Sequence, residues 1–470
     1  MISEDLIRVK RIQSDMDPSE LNAEIVTKLI QNHKPYLPRY EKLQKYYEGE
    51  TAILERTKSD TSKPNNKVSS GYPSYIIDLM QGMFVGKPIS YTGKDQDYLA
   101  VIQDVFSYND EQDENSELAK MMGIKGRAYE IVYMDEDAMV RFNEVDADEM
   151  IVVYNTKISP EMIFAIRPYK VVDPVNDKET EKADVYTAEE NIYYATGENG
   201  LAEVKREDHF FGQVPVIEYL NNAEGIGDFE RVIPLIDAYD KANSDTANDF
   251  EEFTDAILVL GGMIGTTAAD ATKLKEDRII LTDGEKQSAY WLIKDINDTA
   301  LENYKNRLNE DNHKFTKIPD MTDASFAGNS SGVALEHKLL ALEQILSTKE
   351  RKFKRALQKR VELISTILNI FDSGYNYMDV DISFTRNKPI NVKEAVEIAS
   401  MLRGFTSMST ALSELPMIDN VGLEQEKIAQ EKEEYDLGNV DLDQEDDTTE
   451  DEVVEEVEIV EEVDSDEGSR

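Results

Sequence analysis

The residue types that do chemistry are present in this chain, but their spacing does not assemble a reaction centre. Four histidines, His33, His209, His313 and His337, stand far apart. None belongs to an H-E-x-x-H pair that would hold zinc on one helix face, so each reads as a surface or locally bonded side chain. Gly86-Lys87-Pro88 and Gly93-Lys94-Asp95 lack the upstream glycine spacing and the following Ser/Thr of a phosphate-cradling loop. Asp135-Glu136-Asp137 lacks calcium-loop spacing and reads as a charged hairpin turn. Carboxylate doublets recur throughout, as 96 Asp+Glu in 470 residues guarantees, so a pair carries no signal by itself. The expectation is a non-enzyme with no catalytic residue, no cofactor and no metal. One cluster points to recognition instead: Lys349, Arg351, Lys352, Lys354, Arg355, Lys359 and Arg360. Such a cluster contacts nucleic-acid phosphates, pairs with acidic groups across a subunit interface, or forms a solvated face. The sequence leaves these three readings open.

The elements that must position these groups centre on residues 296–371. A helix is expected from Thr299 to Phe315, with Glu302 three residues after Thr299 in capping-box spacing. Its apolar residues, Leu301, Tyr304, Leu308 and Phe315, form one narrow stripe on a polar rod. A stripe that thin calls for a neighbour, and an interface between subunits is the expected one. Pro319 ends this helix, and the Gly/Ser/Asn-rich stretch to Gly332 is expected to be a loose loop. A long helix then starts near Val333. Leu335, Leu339, Leu342, Leu346, Phe353, Leu357, Val361, Ile364 and Leu368 recur along it at helical spacing. A rod of about 60 Å crosses more than one globular layer and predicts an assembly of several parts.

Composition sets the outer bounds. The chain carries 51 Lys+Arg against 96 Asp+Glu, a net charge of −45. Such a field does not coat DNA or an anionic membrane. There is no cysteine, which excludes disulfides and thiolate metal sites and fits a reducing compartment. Met1-Ile2-Ser3-Glu4-Asp5 lacks the basic-then-apolar pattern of a signal peptide. No run of about 18 apolar residues predicts a membrane span. The expectation is a soluble protein, cytoplasmic when made.

In chain order, two helices are expected over 19–48, then a polar loop to Val68, a helix over Ser69–Phe84, and two helical pieces over 95–124 broken near Asn109-Asp110. Antiparallel strands follow at 128–133, 138–142, 150–154, 162–169, 184–187, 191–195 and 214–220, making an α+β domain. A helix over Gly227–Phe253 is expected to take Asp228 as its cap, with Pro234 as a kink. Short apolar strands at 256–262, 278–282 and 289–293 make a small β unit between two helices, a protruding arm that needs neighbours. A strand at 379–384 and helices at 391–402, 410–415 and 423–434 close the folded part. Residues 441–470 hold 16 Asp+Glu and one Arg, a net of −15, with too little apolar surface to fold alone.

Several stretches resemble one family in their order and spacing. They are Asn65-Asn66-Lys67 with Gly82-Met83-Phe84-Val85-Gly86-Lys87-Pro88, Gly227-Asp228-Phe229-Glu230 through Asp249, Ser331-Gly332-Val333-Ala334-Leu335 into Lys349-Glu350-Arg351-Lys352-Phe353, and Phe384-Thr385-Arg386-Asn387-Lys388-Pro389. Over roughly 65–434 the chain resembles bacteriophage portal proteins, the head–tail connectors, of the type found in siphophages of Gram-positive hosts. The resemblance implies a mainly helical α+β portal architecture. Its parts would be an α/β wing (1–226), a two-helix stem (227–253 and 297–317), a small β clip (254–296), a tunnel loop (318–332), a long bridging helix (333–375) and a helical crown (376–436). An acidic disordered tail (437–470) would follow. It implies a twelve-subunit ring at the capsid vertex of the virion, assembled in the host cytoplasm. The partners would be the packaging terminase ATPase, head–tail adaptor proteins, capsid and scaffolding proteins, and double-stranded DNA passing without sequence recognition. The loop residues facing that DNA would be Asp320, Met321, Thr322, Asp323, Ala324, Ser325, Phe326, Ala327, Gly328, Asn329 and Ser330. The alternative class is a non-enzymatic acidic scaffold or adaptor.

Overall fold

The computed structural model describes residues 11–60, 63–197, 200–253, 257–261, 267, 288–292, 298–322, 332–371, 374–387, 392–413, 415, 417–418 and 421–440. The chain divides into two compact units at 388/389.

The first unit opens with β1 (Ile12–Gln13) and α1 (Ala23–His33). Asn22 caps α1 by accepting the Glu24 and Ile25 amides. Next come α2 (Leu37–Tyr47), α3 (Tyr72–Val85), β2 (Ser90–Gly93), α4 (Gln96–Tyr108) and α5 (Glu111–Lys125). Gly126 closes α5 at φ 84°, where an added Cβ would stand 2.2 Å from the Gly225 carbonyl. Glycine alone fits that crossing.

The strands follow as β3 (Arg127–Met134), β4 (Val140–Val145), β5 (Ile151–Tyr154), β6 (Met162–Val172), β7 (Glu179–Tyr186), β8 (Glu190–Gly197), β9 (Gly200–Asp208) and β10 (Val216–Leu220). They form a three-stranded sheet in the order β10-β3-β4 and a six-stranded sheet in the order β1-β5-β6-β7-β8-β9. Side chains alternate along β5, and the alternation builds two cores. Ile151 and Val153 join Val26 of α1, Phe164, Ile166 and Val185 on one face. Val152 and Tyr154 join Tyr129, Ile131 and Val216 on the other. Strand β9 was not expected. Eight of its nine residues are exposed and five are charged, so no apolar alternation marks it.

The helical part continues with α6 (Ile233–Phe253), the hairpin of β11 (Ile257–Gly261) and β12 (Ser288–Leu292), α7 (Asp298–Thr316) and α8 (Gly332–Leu368). Pro234 lies in the first turn of α6, where its missing N–H costs no helical bond, so it starts the helix instead of kinking it. Asp228 lies upstream of a short 3-10 turn, Glu230–Val232, and does not cap α6. At 37 residues α8 is about 55 Å long. It runs through the largest core, where Leu342, Leu346, Phe353, Leu357 and Ile364 meet Phe84, Ile102, Leu118 and Tyr219. Strand β13 (Val380–Ser383) pairs antiparallel with β2 and so belongs to this unit.

The second unit contains α9 (Val392–Leu402), α10 (Met408–Ser413) and α11 (Val421–Val440). Helix α11 runs past Asp436, the expected end of the folded part. The strand expected at 278–282, the loop residues 323–331 and the segment 441–470 lie outside the described residues.

Candidate functional site: the loop root and the ties on the long helix

The stretch between α7 and α8 is fixed at its start. Helix α7 ends with Lys317 in the left-handed region at φ 61°, and Pro319 follows two residues later. Ile318 is buried at 1% exposure. Its carbonyl accepts from His313 Nδ1 at 3.1 Å, which places the ring proton on Nδ1 and leaves Nε2 facing Asp320 Oδ2 at 3.9 Å. Tyr75 of α3 threads the turn twice. Its hydroxyl donates to the Pro319 carbonyl and accepts from the Met321 amide, both at 3.0 Å. The His313 ring stands edge-on to Tyr72 and Tyr75, with centroids 5.9 and 5.8 Å away. Tyr72 also meets Tyr239 of α6 at 5.1 Å and bonds Asn309. Asp320 accepts from the Thr322 amide at 2.9 Å and from the Thr322 hydroxyl at 2.6 Å; these bonds hold its carboxyl below the usual range. Of the expected loop residues, Asp320, Met321 and Thr322 therefore form a pinned root. Asp323, Ala324, Ser325, Phe326, Ala327, Gly328, Asn329 and Ser330 lie outside the described residues.

The seven cations on α8 do not form one surface. Arg360 is fully buried: its Nε donates to Glu130 at 3.0 Å, its Nη1 to Asn115 at 2.8 Å, and its plane lies 4.4 Å from the Phe142 ring centre. Lys349 is buried at 3% exposure against Asp228. These two side chains fall on the apolar stripe of α8, since 353 lies four residues after 349 and seven before 360. Neither is available to DNA or to a neighbouring subunit. Lys359 bonds Gln213 and Glu362. Arg351, Lys352, Lys354 and Arg355 face outward.

The apolar residues of α7 separate in the same way. Leu308 is 7% exposed within the single chain, on the helix that packs against α6, so the chain itself supplies its neighbour. Tyr304 and Phe315 remain 50% and 59% exposed, and Leu301 is half-buried.

The motif residues turn out to be interior ties. Glu230 clamps the buried Arg39 through two bonds of 2.9 and 2.6 Å and also accepts the Gly227 amide at 2.9 Å. A Cβ on Gly227 would stand 2.2 Å from the Ile124 carbonyl. Asp228 joins Lys349 of α8 to Asn221. Arg386 reaches Glu343 and Glu350 of α8, while Phe384 stacks on Phe84 at 5.4 Å. On α6, a polar seam of Asp240, Ser244 and Asn248 holds the loop preceding α3 through Thr51, the Ser70 and Val68 amides, and Asn66. Sequence reasoning named these motifs without their roles; it read His313 as a surface or locally bonded side chain, which its bond to the Ile318 carbonyl bears out, and gave no tying role to Tyr75 or Arg39.

The histidines and the acidic turn stay local. Burial pushes the His33 imidazole down, and His209 is shifted down for the same reason while bonding the Thr187 carbonyl. Asp135 accepts the Asp137 and Met139 amides at 3.0 and 2.9 Å, making a hairpin turn whose carboxyl is held low by those bonds. Among the described residues no group of three or more acidic or histidine side chains is placed to hold a metal, and no helix is long and apolar enough to cross a membrane.

The sequence pattern described as "Phage portal protein, SPP1 Gp6-like" matches residues 26–437. The chain is 26% identical over 457 residues to the portal protein of Bacillus phage SPP1, covering 90% of this chain and 89% of that protein. It is 22% identical over 437 residues to the portal protein of a Clostridium phage, phiCD119, covering 84% and 94%. A solved chain described as the neck of an empty GTA particle computed with C6 symmetry aligns at a TM-score of 0.46 and 11% identity, covering 74% of this chain and 90% of that one.

Proposed function

The chain belongs to the SPP1 Gp6-like phage portal protein family, whose members are structural, non-enzymatic virion components at the capsid vertex, and from that premise we propose that it forms a ring through which double-stranded DNA is packaged and ejected. The observation that carries this reading is the family match over 26–437, which takes in both helices of the arm, the loop and the long helix. In this reading residues 1–226 are the wing, 227–253 and 297–317 the stem, 254–296 the clip, 318–332 the tunnel loop and 376–436 the crown. Twelve subunits close the ring.

The mechanism follows from charge and anchoring. DNA passes both ways, and a wall of cations would hold its phosphates with strong, salt-sensitive affinity. A net charge of −45 per subunit keeps the duplex off the wall. The loop after Met321 is the part nearest the duplex. Its root at Tyr75 and His313 lets it change shape without disturbing α7 or α8. The work of translocation comes from a separate packaging terminase ATPase docked on the clip. Capsid, scaffolding and head–tail adaptor proteins complete the partner set, and assembly takes place in the host cytoplasm.

Electron microscopy of the purified protein in negative stain tests the reading. Closed rings with a central hole are expected. A population of single subunits at all concentrations overturns it in favour of a monomeric acidic scaffold or adaptor.

A further inference from the structure

Within the first unit, the two sheets together with α1 and α2 line a cavity of about 260 Å³. The period of the strands builds its wall. Arg127 and Tyr129 lie two apart on β3, and Glu218 and Leu220 lie two apart on β10. Glu218 pairs with Tyr129 across the ladder, so these four side chains share one face of the small sheet. Val152 and Tyr154 of β5 meet Tyr129 from the larger sheet. Arg11, just before β1, lies 4.4 Å over the Tyr154 ring with its side chain 45% exposed, which places it at the rim.

The polar groups of this wall are out of balance. Glu218 serves two guanidiniums and two phenols at once. Tyr154 donates to it at 2.5 Å, Arg127 Nη1 at 3.3 Å and Tyr129 at 3.5 Å, while Arg11 stands 3.7 Å away. The other carboxylate of the lining, Glu224, is exposed to solvent. Three buried atoms of the lining residues have no hydrogen-bond partner among the described residues: Arg127 Nε, the Tyr40 hydroxyl and His33 Nε2. Tyr40 is fully buried and His33 nearly so. A buried donor without an acceptor is costly, most of all on a cation.

A carboxylate answers this imbalance. It carries acceptors only, where both arginines carry donors only, and it supplies counter-charge that Glu218 alone divides between two guanidiniums. The volume lies below the roughly 300 Å³ at which drug-sized pockets begin, so the acid must be short. We propose that this cavity binds a small organic carboxylate, which accepts from Arg127 Nε and the Tyr40 hydroxyl, pairs with Arg11 at the rim and rests its tail on Met150, Val152 and the tyrosine rings.

Calorimetric titration of the full chain with sodium butyrate, at an ionic strength held constant with sodium chloride, tests this. Saturable binding is expected, with the neutral isostere butyramide bound at least about tenfold more weakly. Y40F deletes a hydroxyl that bonds nothing in the fold and keeps the ring. It should leave the melting temperature unchanged and weaken butyrate about tenfold. R11Q, at the exposed rim, should weaken butyrate as well. No saturation with butyrate, or equal binding of butyramide, overturns the proposal. Unchanged butyrate affinity in Y40F does so too, and so does a lower melting temperature in Y40F, which would show that its hydroxyl is already partnered within the fold.

Discussion

Replacing Arg360 by leucine removes the only cation bonded to Glu130 among the described residues. That carboxylate is fully buried and keeps just the Tyr219 hydroxyl, at 3.0 Å, once the guanidinium is gone. Glu111, 5% exposed, loses its contact at 3.3 Å, and Asn115 loses an N–H donor. Breaking a buried pair from one side leaves an uncompensated charge and costs about 3–5 kcal/mol. The cost should depend on pH. Burial already raises the Glu130 carboxyl, with Arg360 as the main opposing influence, so R360L drives it further up and favours its neutral form. A raised carboxyl stabilises the fold at low pH and loses that contribution as pH rises through the folded value. R360L should therefore be destabilised less at pH 5.5 than at pH 8, and R360L/E130Q should recover most of the loss at pH 8. Urea unfolding followed by far-UV circular dichroism reads all three variants. A loss under about 1 kcal/mol at pH 8, or one that grows on acidification, refutes the assignment of Arg360 to the interior.

The exposed residues on α7 predict an assembly defect: Phe315→Asp and Tyr304→Asp should weaken rings on a sizing column while leaving the melting temperature unchanged. Leu308→Asp, which buries a charge inside the subunit, should instead lower the melting temperature, and stable subunits with this change would refute its placement. Changing Asp320 and Asp323 to Lys should leave rings intact but slow DNA packaging, most at low salt; normal packaging across a salt series counts against a loop lying near DNA. Glu114 is pushed up to about 8 by burial and by Glu144, so stability should fall as pH rises from about 4.5 through 8. Glu114→Gln should flatten that part of the profile in thermal melts at pH 5.5 and 8.5.

The elements were legible because each has a period that one sequence carries. The apolar residues recurring at helical spacing from Leu339 to Ile364 mark α8, and the short continuous apolar run Met150–Tyr154 marks β5. What holds the elements together was not legible, because the ties span distances that no local pattern encodes. Arg39 and Glu230 lie 191 residues apart, and Glu130 and Arg360 lie 230 apart. The error over the basic cluster has a different cause. Residue type alone placed Lys349 and Arg360 with their neighbours, although their angle on the helix sets them among Leu346, Phe353 and Leu357.

That angle separates two jobs within one stretch of helix. Charges on the apolar side are buried, paired and fixed, so they join α8 to β3 and to the turn before α6. Arg351, Lys352, Lys354 and Arg355 on the other side have no ion-pair partner among the described residues and meet solvent. Arg360, Lys349 and Arg386 secure α8 from within, so replacing an inner cation should destabilise the fold far more than replacing an outer one.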